Sequence, residues 1–166
     1  LSASAGSSAS AGLSASAGSG PVAREGGRLT TRVRDGRWVG KNDIAAWLAG
    51  EVEASVLCAL NPEAYAGEVP TRYSRRGHIP GSGNLPARSL TGADGRFRPG
   101  ADLRAALGGL VDDPAPVWIY CGGGISATVV ALALTVAGRP DVAIYDGSLE
   151  EWSADHTLPL ELGRPA

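Results

Sequence analysis

The stretch Val117–Ala137 limits the fold more than any other part of the chain. It reads VWIY, then Cys121 and three consecutive glycines, then ISATVVALALTVA. A short β-branched and aromatic run has the length of a buried strand, and a dozen mostly apolar residues ending at Gly138 have the length of a buried helix. The glycines let the backbone turn sharply between the two. A strand that runs through a tight turn into a helix is half of a parallel crossover unit.

The rest of the chain alternates in the same way. Ser55–Leu60 (SVLCAL) and Val142–Tyr145 (VAIY) are further short apolar runs of strand length. Asn42 or Asp43 is placed to cap a helix over Ile44–Ala49, closed by Gly50. Pro62 suits the first turn of a short helix at Glu63–Ala66, and helices are also expected at Asp102–Leu107, Ser126–Ala137 and near Ser148–Ser153. Gly77–Pro86 (GHIPGSGNLP) is turn chemistry around a minimal extended piece at Asn84–Leu85. The expected fold is α/β, three layers with a central parallel sheet covered by helices on both faces.

Composition separates this unit from what precedes it. Residues 1–23 are almost wholly Ser, Ala and Gly, carry no charge, and repeat LSASAGS at Leu1–Ser7 and Leu13–Ser19. With so little apolar side chain to offset ordering entropy, the segment reads as a linker or tail; a secretory signal would need a basic start and a continuous apolar core. Residues 24–166 are the expected folded domain. A formal charge of -2 across 166 residues argues against nucleic-acid binding through a basic surface and against a polybasic membrane anchor. The two cysteines, Cys58 and Cys121, cannot make a disulfide framework, which favours a reducing, cytoplasmic location. Two Cys and two His without zinc-site spacing call for no metal, and no cofactor motif is present.

Open parallel sheets place ligand sites beyond the C-terminal ends of their strands, which points to the turn after Tyr120. There Cys121 is the candidate nucleophile. Gly122, Gly123, Gly124, Ile125 and Ser126 form the candidate binding loop. Glycines can present successive N–H groups as an anion nest, and a following helix N-terminus adds positive potential, where thiolates are favoured. The same nest suits a persulfide or the oxygens of a substrate. A dinucleotide fingerprint would require a third glycine where Ala127 stands. A cysteine phosphatase would require an arginine closing the loop, where the chain has Ile125, Ser126, Ala127, Thr128 and Val129.

Taken together, CGGGISA after VWIY, GHIPGSGNLP upstream and YDGSLEEW at Tyr145–Trp152 resemble the rhodanese family. More narrowly, they are similar to the C-terminal, catalytic domain of two-domain thiosulfate and 3-mercaptopyruvate sulfurtransferases, from about Arg28 to Gly163. The resemblance implies a cysteine, Cys121, that accepts sulfane sulfur as a persulfide from a small donor and yields it to a thiol or cyanide. It also implies that a second rhodanese-like domain could be a partner.

The departures bear on that expectation. Where the family commonly has D-A-R-x-x-x-R-Y-R-G-E, this chain has Cys58 for the aspartate and Leu60, Ala64 and Ala66 for the arginines. Losing a charge-assisted donor to an anionic substrate removes about 1.5–3 kcal/mol. Gly123 stands where the family carries the Lys or Ser that separates its donors, and Leu149 where it commonly has Trp. Two alternatives follow: a catalytically weakened binding or partner module, or the catalytic half of a larger enzyme. His78 is read as a structural hydrogen-bonding residue, His156 as surface, and Cys58 as a small core residue with a resolving thiol as the minority reading. Arg72, Arg75 and Arg76 form the one local basic cluster, ordinarily a solvated loop but also a source of replacement charge.

Overall fold

A computed structural model describes residues 34–164 together with Thr30 and Arg32, so the expected leader at 1–23 lies outside the described residues. Five parallel strands form one sheet in the order β1-β5-β4-β2-β3: β1 is Trp38–Val39, β2 Ser55–Cys58, β3 Gly83–Asn84, β4 Val117–Tyr120 and β5 Val142–Tyr145. The helices are α1 (Lys41–Leu48), α2 (Pro62–Tyr65), α3 (Gly100–Leu107), α4 (Ile125–Val136) and α5 (Ser148–Ala154). The three-layer parallel α/β expectation holds.

Side chains alternate across the sheet as a period of two demands. Leu57, Val117, Ile119, Val142 and Ile144 pack with Leu103, Leu107, Val130 and Leu134 of α3 and α4. Val56, Cys58, Tyr120 and Tyr145 pack on the opposite face with Ile44 of α1, Tyr65 of α2, and Leu149 and Trp152 of α5. Cys121 belongs to the first cluster and Cys58 to the second, and both are free thiols. The two thiols thus pack on opposite faces of the sheet, whereas a disulfide would need their Cβ atoms about 3.5–4.5 Å apart. Burial pushes the Cys58 thiol up to about 12.

Local expectations shift at several ends. The first helix starts at Lys41 rather than Ile44. Its N-cap is Gly40, and Asp43 sits at the third helical position, where its Oδ2 accepts the Gly40 N–H at 2.7 Å. The short extended piece is Gly83–Asn84 rather than Asn84–Leu85, because its register with Leu57 and Cys58 of β2 sets the boundary. β1 was not expected at all. In α2 the Asn61 side chain accepts from the Ala64 N–H at 3.0 Å, an N-cap that explains why Pro62 opens this helix.

The topology locates the site. From β2 the chain proceeds outward to β3, and from β4 it proceeds outward to β5 on the other side. The connections diverge between β2 and β4, so the crevice expected at such a switch point lies where Leu60 follows β2 and Cys121 follows β4.

Candidate functional site

Three elements set the loop after β4. Cys121 is 2% exposed and continues the central strand. Helix α5 then holds the loop backbone from one side: Leu149 N–H donates to the Cys121 carbonyl at 3.1 Å and Glu150 N–H to the Gly122 carbonyl at 2.8 Å. In a trans peptide the next N–H points opposite to the carbonyl, and no cis bond occurs among the described residues. The N–H groups of Gly122 and Gly123 are therefore turned away from α5.

Ser148 sets the rest of the turn. Its hydroxyl accepts from the N–H of Cys121 and of Gly124, each at 3.1 Å, and donates to the Tyr145 carbonyl at 2.8 Å. Ser148 is fully buried and has φ of +50°, the one described non-glycine residue in the left-handed region. The Gly124 N–H is thus committed inside the protein. What remains for a ligand is the N–H of Gly122 and Gly123 and those of the first turn of α4, which have no partner four residues back. Ser148 lies within the YDGSLEEW motif, but no sequence pattern marks it as the partner of the Cys121 loop, since its bonds cross 27 and 24 residues of chain.

The surroundings of Gly122 and Gly124 leave little room for a side chain, and those of Gly123 only movable side-chain tips. A side chain on Gly122 would collide with the Tyr73 ring and its hydroxyl. At Gly123 a Cβ would stand 2.7 Å from Glu150 Oε2 and 2.9 Å from an Arg72 guanidinium nitrogen. Gly124 has φ of +81°, and a Cβ there would lie 2.6 Å from Asp146 Oδ1.

Cys121 opens onto a pocket of about 260 Å³ lined by Leu60, Arg72, Tyr73, Gly122, Ile125 and Ser126, with Gly123 between. Ile125 is exposed at its rim and Ser126 half-buried. Leu60 does occupy a wall of this pocket, and the cation there is Arg72, which pairs with Glu150 at 3.3 Å across Gly123. Ala64 and Ala66 are buried core positions. Tyr73, which the sequence reading passed over, forms the other wall. Burial pushes its phenol up, and the neighbouring Cys121 adds to the shift.

The remaining candidates separate cleanly. Arg75 is not a substrate cation: its Nε donates to the Ser153 carbonyl at 2.9 Å, and one terminal nitrogen to Asp155 at 2.7 Å and Leu158 at 3.0 Å. His78 is buried, stacked on Tyr65 with ring centroids 3.7 Å apart, and its Nδ1 lies 3.0 Å from the Tyr65 carbonyl, a structural role. Beside it the Ile79 N–H donates to Tyr120 Oη at 3.0 Å, and Ser82 Oγ lies 2.6 Å from Tyr120 Oη and from the Ile79 carbonyl. The single Ser82 proton goes to that carbonyl, so Tyr120 donates to Ser82, which closes a ring of three bonds. This ring pins the residue before Cys121 to the Gly77–Pro86 turn. Among the described residues no group of three or more His, Cys, Asp or Glu is placed to hold a metal, and no helix is long and apolar enough to cross a membrane.

Comparison with known proteins adds family to this geometry. The profile described as "Rhodanese-like domain" matches residues 63–155. The Mycobacterium tuberculosis protein SseB is 35% identical over 147 residues, 87% of this chain and 51% of its own. The 3-mercaptopyruvate sulfurtransferase of Escherichia coli K12 is 41% identical over 114 residues, 67% of this chain and 40% of its own. The chain spans about half the length, or less, of the curated relatives it matches. Among solved structures, the Tum1 protein of Saccharomyces cerevisiae superposes with TM-score 0.67 at 28% identity, over 79% of this chain and 48% of that one.

Proposed function

The chain belongs to the rhodanese-like domain family, and on that premise we propose that it transfers sulfane sulfur through a persulfide on Cys121. The observation that carries the reading is the position of Cys121 at the switch point, on the floor of a small pocket beside N–H groups turned away from α5. Relatives named for thiosulfate and 3-mercaptopyruvate make these the donors to test first.

With thiosulfate, the Cys121 thiolate attacks the outer sulfur. The bond to the sulfite group breaks, sulfite leaves with the electron pair, and the transferred sulfur remains on Sγ. The N–H groups of Gly122 and Gly123 then hold the terminal sulfur's negative charge without moving, which is the energetic advantage of a preset backbone. Arg72 supplies the positive charge that Leu60, Ala64 and Ala66 do not. Its partner Glu150 is an obstacle of small height: both side chains are more than half exposed, and such pairs are worth about 0.2–1 kcal/mol. An anionic donor can displace Glu150 from Arg72 at that cost.

Leu60 in the pocket wall favours a second reading, a weakened domain that binds rather than turns over. Incubation with each donor followed by intact mass decides between them. One added sulfur, absent in Cys121→Ser, supports transfer. No adduct with any donor leaves the binding module.

A further inference from the structure

Gly122 and Gly123 bring no side chains to the Cys121 pocket, so its size is set by what leans over them. At about 260 Å³ it falls below the range of about 300–1,000 Å³ that is usual for sites of organic ligands. Two of its lining side chains are free to swing outward: Arg72 is 67% exposed and held by one ion pair, and Ile125 is 74% exposed at the rim. Leu60 and Tyr73 are not, since each is half-buried and packed against the cluster that holds Cys58 and Tyr120.

Tyr73 comes nearest the reacting end. Its ring fills the space that a side chain at position 122 would take: a Cβ on Gly122 would overlap Tyr73 Oη and stand 2.7 Å from ring atoms Cε1 and Cζ. The ring thus lies over the residue that follows Cys121. Two residues further on, Arg75 is fastened to the carbonyls of Ser153, Asp155 and Leu158, which holds this stretch of backbone in place. Burial raises the Tyr73 phenol, so at neutral pH the wall is uncharged and does not repel an anion. Tyr73 also borders a second space of about 820 Å³, so removing the ring opens room beyond the pocket.

We propose that Tyr73 is a specificity-determining residue of this site: its ring restricts Cys121 to reagents without bulk beside the reacting atom, and so selects small sulfur donors over aryl ones. The selection among sulfur donors rests on the transfer reading above, whereas the size limit itself does not. Thiosulfonates expose it in donor form. The Cys121 thiolate attacks the outer sulfur, an S–S bond forms to Sγ, and the sulfinate leaves with the electron pair of the broken bond. Methanethiosulfonate and benzenethiosulfonate undergo this same step and differ in the group that must pass the ring.

The test compares iodoacetamide with iodoacetanilide on the native full chain at pH 8, with labelling followed by intact mass. Cys58, buried and pushed up to about 12, stays unlabelled. Both reagents are neutral and share the reacting carbon, and their rate ratio on free cysteine is the reference. The parent should disfavour the anilide about tenfold or more, since a carbon too many in a tight pocket costs about 10–200-fold. Tyr73→Ala should recover most of that factor, and Tyr73→Phe, which keeps the ring, should match the parent. Tyr73→Leu keeps an apolar side chain against the core and should change the ratio in the same direction as Ala, which carries the test if Ala destabilises the fold. A parent without discrimination, shortened variants in which both reagents change rate equally, or a Phe variant that behaves like Ala overturns the assignment; equal change is what a loosened loop would produce. A second arm loads Cys121 with the two thiosulfonates, where the same preference and the same relief in Tyr73→Ala are expected. If neither donor loads Cys121 while the alkylation ratio still shifts, the transfer reading fails and the size limit stands. If both donors load with the free-cysteine ratio in every variant, transfer stands and the selection by Tyr73 is overturned.

Discussion

Replacing Ser148 by Ala tests the physical account of the loop most directly. The substitution removes one buried acceptor shared by two backbone N–H groups, those of Cys121 and Gly124, and leaves the sterics of the turn otherwise alone. A buried donor left without a partner costs about 1–3 kcal/mol. Two such donors would give roughly twice that if nothing moved, but they share one acceptor and the loop can relax toward the pocket, so a total of about 2–4 kcal/mol is expected. The Tyr145 carbonyl also loses a donor. Ser148→Gly removes the same hydroxyl but relieves the left-handed backbone, worth about 1 kcal/mol. The Gly variant should therefore lie above the Ala variant. Urea unfolding followed by tryptophan fluorescence measures both. An Ala variant within about 0.5 kcal/mol of the parent, the size of an ordinary surface change, would refute the view that Ser148 organises the loop.

Other outcomes follow from the same contacts. Gly124→Ala should lose about 1–2 kcal/mol in the same assay because of its positive φ and the Asp146 carboxylate, whereas Gly123→Ala meets only the movable tips of Glu150 and Arg72 and should lose less than about 1 kcal/mol. Leu60→Arg returns a guanidinium to the wall of the Cys121 pocket; turnover of thiosulfate should rise in kcat/KM by tenfold or more, taking about 1.5–3 kcal/mol for a hydrogen bond to a charged group. The Cys58 thiol is raised to about 12 in the fold, so its contribution to stability is complete below its unfolded value near 9 and is lost as pH rises toward 12. Stability measured across that window should fall less steeply in Cys58→Ala than in the parent. At pH 8, iodoacetamide should leave Cys58 unmodified in the native protein and modify it in denaturant.

What could be read from the chain depended on where the information sits. Val117–Tyr120 and Val142–Tyr145 coincide with their strands because these segments are central and almost wholly buried, so composition alone marks them. Trp38–Val39 is a two-residue edge strand with Trp38 60% exposed, and it exists only because β5 offers it a ladder. The start of α1 at Lys41 is not legible in the sequence because its N-cap is a glycine, which leaves no side-chain signature. Within the site, Cys121 and the glycines stand out as a contiguous string. Ser148 and Tyr73 do not, since each acts on the loop from a distant part of the chain. The three clustered arginines look equivalent in sequence, and only packing assigns Arg75 to carbonyls and Arg72 to the pocket and leaves Arg76 exposed.

Helix α5 touches the site at both of its ends. Its first residue, Ser148, grips the Cys121 loop, and the carbonyls at and beyond its last turn are gripped by Arg75, whose neighbours are Arg72, Tyr73 and Arg76. The helix is therefore a tie-rod: the floor of the pocket and its arginine-bearing wall are bolted to opposite ends of one short rigid bar. A tilt of α5 would carry the Cys121 loop and the backbone around Arg75 together. Substitutions along its buried side, at Leu149 or Trp152, should then alter sulfur chemistry and anion capture in step rather than one at a time.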